Sequence, residues 1–126
     1  MNITMTQEKH SPNRERLHAL LDLLSYFYMV YGKPERARHY LRLLIKLRPS
    51  DSRLLRSLAR SEMESGNMEE AKEILENSLN MSMDQEERAA TFLLLGRVLM
   101  RLQRLEDSSH AIAEFLSLRK LLNLKV

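Results

Sequence analysis

The sequence predicts an all-α protein in which three helix-turn-helix repeats stack on one another. Three observations lead there. The 126 residues are 44% hydrophobic yet include only three Gly, three Pro and 6% aromatics, a mix that suits helices and leaves little for strands or hairpins. Apolar residues recur at three- and four-residue steps, the period of one helix face. Above all, Leu21, Leu24, Tyr28, Gly32, Ala37, Leu41, Leu44 and Pro49 return 34 residues on as Leu55, Leu58, Glu62, Gly66, Ala71, Leu75, Ser78 and Met83. They return again, three residues late, as Phe92, Leu95, Leu99, Gln103, Ser108, Ile112 and Phe115. One helix pair cannot cover its own apolar face, so three stacked pairs are about the minimum that buries a continuous core.

Residues 1–12 are polar, end in Ser11-Pro12 and read as a flexible lead-in; residues 13–126 read as a single domain with repeats at about 18–51, 52–85 and 89–122. The first helix is expected to start near Asn13, capped by Ser11 or Asn13, with Leu17, Leu20, Leu21, Leu24, Tyr28 and Tyr31 on its apolar side. Gly32 stops it and Pro34 opens a second helix to Leu47, with Ala37 where the pair comes closest. Pro49 closes that repeat, and Ser50 or Asp51 can cap a third helix over about 52–65. After the Gly66-Asn67 turn, the fourth helix carries Ala71, Ile74, Leu75 and Leu79 inward, with Glu69, Glu70, Glu73 and Glu76 on a solvated convex side. The irregular stretch from Asn80 holds the three extra residues. Asp84 and Glu87 have the spacing of a reciprocal cap for a fifth helix over about 85–102, and the sixth begins near Glu106 and runs past Leu118.

Charge is segregated along the chain. Residues 10–60 carry 11 Lys/Arg against 4 Asp/Glu, residues 61–87 carry 1 against 9, and residues 88–126 carry 7 against 3. A nucleic-acid module keeps a basic stripe unbroken, whereas this polarity suits a protein partner with a polarity of its own; the plainer reading is solvated helix faces. With no Cys there is no disulfide, thiolate zinc site or cysteine nucleophile, a composition compatible with a reducing cytosol. No apolar run reaches the length of about 20 residues that a membrane span needs, and the opening residues lack the order of a secretory signal. His10, His18, His39 and His110 are scattered, which indicates no metal site. Asp107-Ser108-Ser109-His110 contains triad residue types, but helix neighbours point apart. Glycine-rich phosphate loops are absent. The chain therefore reads as a non-enzyme without cofactors.

The period, with its Gly and small residue at fixed offsets, resembles the tetratricopeptide repeat. That resemblance implies a short right-handed solenoid whose first helices line a concave groove through the second, fifth, ninth, twelfth and thirteenth positions of each repeat. Those positions are Ala19, Asp22, Tyr26, Met29 and Val30, then Arg53, Arg56, Arg60, Met63 and Glu64, then Ala90, Leu93, Arg97, Met100 and Arg101. Met recurs at the twelfth position and five of the others are Arg, so the groove would suit an extended or helical peptide with apolar anchors and acidic neighbours. The alternative is that the three Met residues are core filler. The carboxylate clamp of heat-shock co-chaperones needs a basic fifth and an Asn ninth residue in its first repeat; Asp22 and Tyr26 stand there instead.

The expected partner-binding set is thus Tyr26, Met29, Arg53, Arg56, Arg60, Met63, Leu93, Arg97, Met100 and Arg101. A second apolar surface is expected at Leu116, Leu118, Leu121, Leu122 and Leu124, where a repeat array normally wants a polar cap. This last helix either folds back over the stack or is covered by a partner or a second copy.

The opening Met1-Asn2-Ile3-Thr4, the run Gly32-x-x-Glu35-Arg36-Ala37 continuing to Leu41, Leu44, Leu47 and Pro49, and Leu95-x-Arg97 through Ser109-His110-Ala111 to Phe115-Leu116-x-Leu118 resemble the YscY family of type III secretion chaperones. The resemblance implies a chaperone in the bacterial cytoplasm that shields an apolar segment of a small secreted protein of the YscX type, the pair acting at the export gate protein. Two alternatives stand beside it: a chaperone of the needle subunit or translocators of the same system, and a scaffold that forms homodimers or larger homo-oligomers. The middle repeat, with its glutamates, departs most from the family pattern.

Overall fold

The computed structural model describes residues 12–124 and, within them, six helices and no strand. The lead-in before Pro12 and the side chain of Leu124 lie outside the described residues. Helix α1 spans Pro12–Val30, α2 Pro34–Leu47, α3 Ser52–Glu64, α4 Met68–Ser78, α5 Gln85–Arg101 and α6 Leu105–Leu124. They form three hairpins, α1–α2, α3–α4 and α5–α6, each packed on the next through α2 on α3, α4 on α5 and α3 on α5.

The helix boundaries follow from local chemistry. Pro12 and Pro34 each stand at a helix start, where a missing N–H costs nothing and a fixed φ helps. Asp51 caps α3 by accepting from the N–H groups of Arg53 (3.0 Å) and Leu54 (3.4 Å). At α5 the Asp84 carboxylate accepts from the Glu87 N–H (2.8 Å) and the Glu87 carboxylate from the Asp84 N–H (3.4 Å), the reciprocal cap the spacing predicts.

All three hairpin turns use one device. At Gly32, with φ +70°, the Lys33 N–H donates to the Tyr28 carbonyl (2.7 Å) and the Gly32 N–H to that of Met29 (3.2 Å). At Gly66, with φ +87°, Asn67 donates to Glu62 (2.7 Å) and Gly66 to Met63 (3.0 Å). At the third turn Arg104 donates to Leu99 (2.9 Å) and Gln103 to Met100 (3.0 Å), and Gln103 takes φ +61°. These paired bonds satisfy carbonyls that the last helical turn would leave open and require the left-handed conformation at the central residue. Glycine adopts it freely and glutamine does not.

Two apolar clusters hold the hairpins together. Leu21, Leu41, Leu44, Leu54 and Leu58 join the first pair to the second. Ala59, Met63, Ala71, Leu75, Leu94, Leu95, Val98, Leu99 and Ala111 join the second to the third. Ile74 packs against both, which makes the core continuous. Helices α5 and α6 approach closely where Gly96 admits Ile112. A Cβ on residue 96 would lie 2.5 Å from Ile112 Cδ1, and the Gly96 carbonyl accepts from buried Ser108 Oγ at 2.8 Å. Ser108, one of the triad residue types in 107–110, is therefore a packing residue.

The convex glutamates are exposed, as expected, and also cross-link the stack. Glu70 faces Arg42 (3.6 Å), Glu69 pairs with Arg104, and Lys72 lies between Glu69 (3.8 Å) and Glu76 (3.3 Å). Among the described residues no helix is long and apolar enough to cross a membrane.

Candidate functional site

The first helices of the hairpins, α1, α3 and α5, enclose a groove of about 930 Å³. Helix α1 contributes Ala19, Asp22, Leu23, Tyr26, Met29 and Val30; α3 contributes Arg53, Arg56, Ser57 and Arg60; α5 contributes Ala90 and Leu94. Short turns make each hairpin antiparallel, so the three lining helices run the same way and their stripes lie side by side. Most of its lining comes from α1 and α3. Its α1 wall is apolar and open to solvent, with Tyr26 69% and Val30 61% exposed. Its α3 wall is cationic.

The arginines differ in how far they are committed to the fold. Arg53 meets Asp22 across the groove at 3.4 Å. Arg56 is built into the wall: it donates to Ser52 Oγ (3.3 Å) and Thr91 Oγ1 (3.5 Å) and lies 3.9 Å from Glu87, with a side chain only 17% exposed. Ser52 Oγ donates to the same Glu87 carboxylate at 2.7 Å. Arg60 is exposed and has no carboxylate partner among the described residues. Arg60 is thus the lining cation free to meet an incoming anion.

The structure divides the expected partner-binding set. Tyr26, Met29, Arg53, Arg56 and Arg60 line the groove. Met63 does not: it is 3% exposed and sealed in the second core cluster, so at that position the core-filler alternative holds. The physical reason is the stack itself, since α4 and α5 both pack on α3, the helix that carries Met63. Leu93, Arg97, Met100 and Arg101 are exposed on α5 but lie outside the groove lining. Spacing places Arg97 and Arg101 on the stripe that Ala90 and Leu94 begin. On α6, Leu116 and Leu121 are exposed, while Leu118 and Leu122 are half-buried.

Some features were not anticipated. Leu23, Ser25, Leu41, Ser57 and Leu94 line the groove although none occupies one of the five groove positions. Another is Glu62, a carboxylate with 0% side-chain exposure, set against Arg38 at 2.9 Å and Arg42 at 3.5 Å. Burial pushes its carboxyl up. A hydrogen bond shared with Glu70, the bond from Arg38 and the charges of Arg38 and Arg42 together outweigh that, and hold it below the usual carboxylate range. Glu70 is raised in return, chiefly by the hydrogen bond it shares with Glu62. The only sequence signal was a Glu at 62 where Tyr28 and Leu99 stand in the neighbouring repeats, an apolar register position holding a charge.

Against known protein families, residues 31–93 match the tetratricopeptide repeat. The chain belongs to that family. A stack of tetratricopeptide repeats is a protein-binding scaffold, and the groove between the first helices is the concave surface such a stack offers. A search of curated proteins returns no match. Among the described residues no group of three or more His, Asp or Glu could hold a metal ion.

Proposed function

We propose that this tetratricopeptide repeat protein is a non-enzymatic chaperone of a bacterial type III secretion system. It acts in the cytoplasm and holds an apolar segment of one small secreted protein of the YscX type until the export gate receives it. The observation that carries the reading is the groove of about 930 Å³, with an exposed Tyr26-Met29-Val30 wall facing Arg60. Its volume is near the upper end of small-molecule pockets, about 300–1,000 Å³, and it is an open trough rather than an enclosed cavity. It accommodates several side chains of an extended or helical segment. Exposed aromatic and thioether groups adapt to apolar partners, and an arginine can take a neighbouring carboxylate. The resemblance to YscY chaperones supports the choice of partner.

The test is co-expression with the small protein encoded beside the gene, followed by purification of the pair. Wild type is expected to co-elute with it, and Tyr26→Glu, Arg60→Glu to lose it while keeping the helical circular dichroism of the parent. Both positions are exposed, so the variant should fold. A folded double variant that keeps its partner at full affinity would move the contact away from the groove. Co-elution with a needle subunit or translocator instead would assign the chaperone to that substrate.

A further inference from the structure

The concave face has an apolar side and a cationic side. Tyr26, Met29 and Val30 on α1 form the first. On α5 the positions equivalent to Tyr26 and Val30 are Arg97 and Arg101, and Arg60 stands on α3, the helix between. Arg97 and Arg101 are exposed, on the stripe that Ala90 and Leu94 begin. The side chains of Arg60, Arg97 and Arg101 make no ion pair or hydrogen bond among the described residues.

Neighbouring carboxylates do not cancel these cations. Five arginines stand on the concave positions against two carboxylates, Asp22 and Glu64. Asp22 is engaged by Arg53 at 3.4 Å, and Glu87 beside the groove by Arg56 at 3.9 Å. Glu64, one turn beyond Arg60, is exposed and unpaired, and still leaves the free arginines in excess. Arg104 is taken by Glu69. Glu106 and Asp107, which open α6, line a separate hollow with Phe92, Leu95 and Leu99, and those three lie on the opposite face of α5 from Arg97 and Arg101.

We propose that the concave face takes an amphipathic helix of a protein partner, with carboxylates along one flank and large apolar side chains along the next. Its acidic flank lies on Arg97, Arg101 and Arg60, and its apolar flank on Tyr26, Met29 and Val30. This rests on the groove reading of the proposed function and names the chemistry of the segment held there. Tyr26 and Val30 are four residues apart, as are Arg97 and Arg101, a rise of about 6 Å on helices that run the same way. A helix laid beside them repeats both its flanks at that step. Guanidinium groups take carboxylates bidentately, and the charge asymmetry fixes which flank faces which wall. A second copy cannot supply this from its acidic helix. Glu69, Glu70 and Glu76 of α4 are held by Arg104, Arg42 and Lys72, and the apolar flank beside them, Ala71 and Leu75, is buried in the core.

The experiment uses the full chain and three labelled synthetic peptides, read by fluorescence anisotropy. The first is an alanine-based helix with glutamate at positions i, i+4 and i+7 and leucine directly after each. The second carries lysine for glutamate, and the third is the first broken by a central proline. The glutamate helix is expected to bind at least about tenfold more tightly than either at low salt. Arg97→Glu, Arg101→Glu touches only exposed residues, should keep the circular dichroism of the parent, and should reverse the preference between glutamate and lysine. Tyr26→Ser should weaken the glutamate helix at least about fivefold. Equal binding of the glutamate and lysine helices, equal binding of the proline peptide, a preference unmoved in the arginine variant, or no binding at about millimolar concentration would each overturn the proposal. So would a random single-stranded oligonucleotide held through the same two arginines, or self-association in sedimentation lost in the same variant, which assign the face to phosphates or to a second copy. Co-elution with the co-expressed partner separates the two readings. Loss in Tyr26→Glu, Arg60→Glu with full retention in Arg97→Glu, Arg101→Glu keeps the groove and rejects the acidic helix; retention in Tyr26→Glu, Arg60→Glu rejects both.

Discussion

Met29, Met63 and Met100 occupy the same position in successive repeats, and replacing each by alanine isolates what place in the stack does to one side chain. Met63 is 3% exposed and packs in the second cluster with Ala59 and Ala71. The cluster also holds Leu75, Leu94, Leu95, Val98 and Leu99, packed side chains that refill a void only in part. From the range of about 2–5 kcal/mol for Met→Ala in a core, a loss of about 3 kcal/mol is expected. Met100 is 57% exposed, and its truncation should cost less than about 0.5 kcal/mol. Met29 is half-buried in the groove wall, and about 1 kcal/mol is expected from its smaller transfer from water. Urea unfolding at unchanged slope reads all three. At a slope of about 1.5 kcal/mol per molar, the Met63→Ala midpoint should fall by about 2 M and the Met100→Ala midpoint by less than about 0.3 M. A Met63→Ala midpoint no lower than that of Met100→Ala would refute the assignment of Met63 to the core and return it to the groove.

Two further outcomes are expected. Gln103→Gly should stabilise the protein by about 0.5–1 kcal/mol, because relief of about 1–2 kcal/mol of left-handed strain exceeds the added chain entropy of glycine, about 0.4–1 kcal/mol; a lowered urea midpoint would contradict the turn assignment. Glu62→Gln should cost about 1–3 kcal/mol at neutral pH, since it leaves Arg38 without its buried counter-charge. The native Glu62 carboxyl lies below its unfolded value, so its stabilisation is complete above the ordinary carboxylate range and is lost as pH falls through the depressed native value. The gap between wild type and Glu62→Gln should therefore narrow as pH falls below the ordinary carboxylate range. Urea midpoints that stay equally far apart from neutral pH to acid would rule out a charged Glu62 as the source.

Much of the fold was legible because helix ends are decided by neighbours in the chain. Pro34 at a helix start, Asp51 and the Asp84–Glu87 pair as caps, and Gly32 and Gly66 at left-handed turns act within a few residues of themselves. The 34-residue period carried the rest, since it sets which helix face turns inward. The same period misplaced Met63, because it assigns one environment to every copy of a position. Burial depends on what stands on either side of a repeat: among the described residues the middle hairpin is covered on both sides and the end hairpins on one. That is why Met63 is sealed and Met100 is exposed. It is also why a glutamate could be buried at position 62, since Arg38 and Arg42, which neutralise it, come from another helix. Local sequence determined where each helix begins and ends; only the stacking of the hairpins decided which of its side chains remain available to another protein, because exposure belongs to the assembly of helices and to no helix alone.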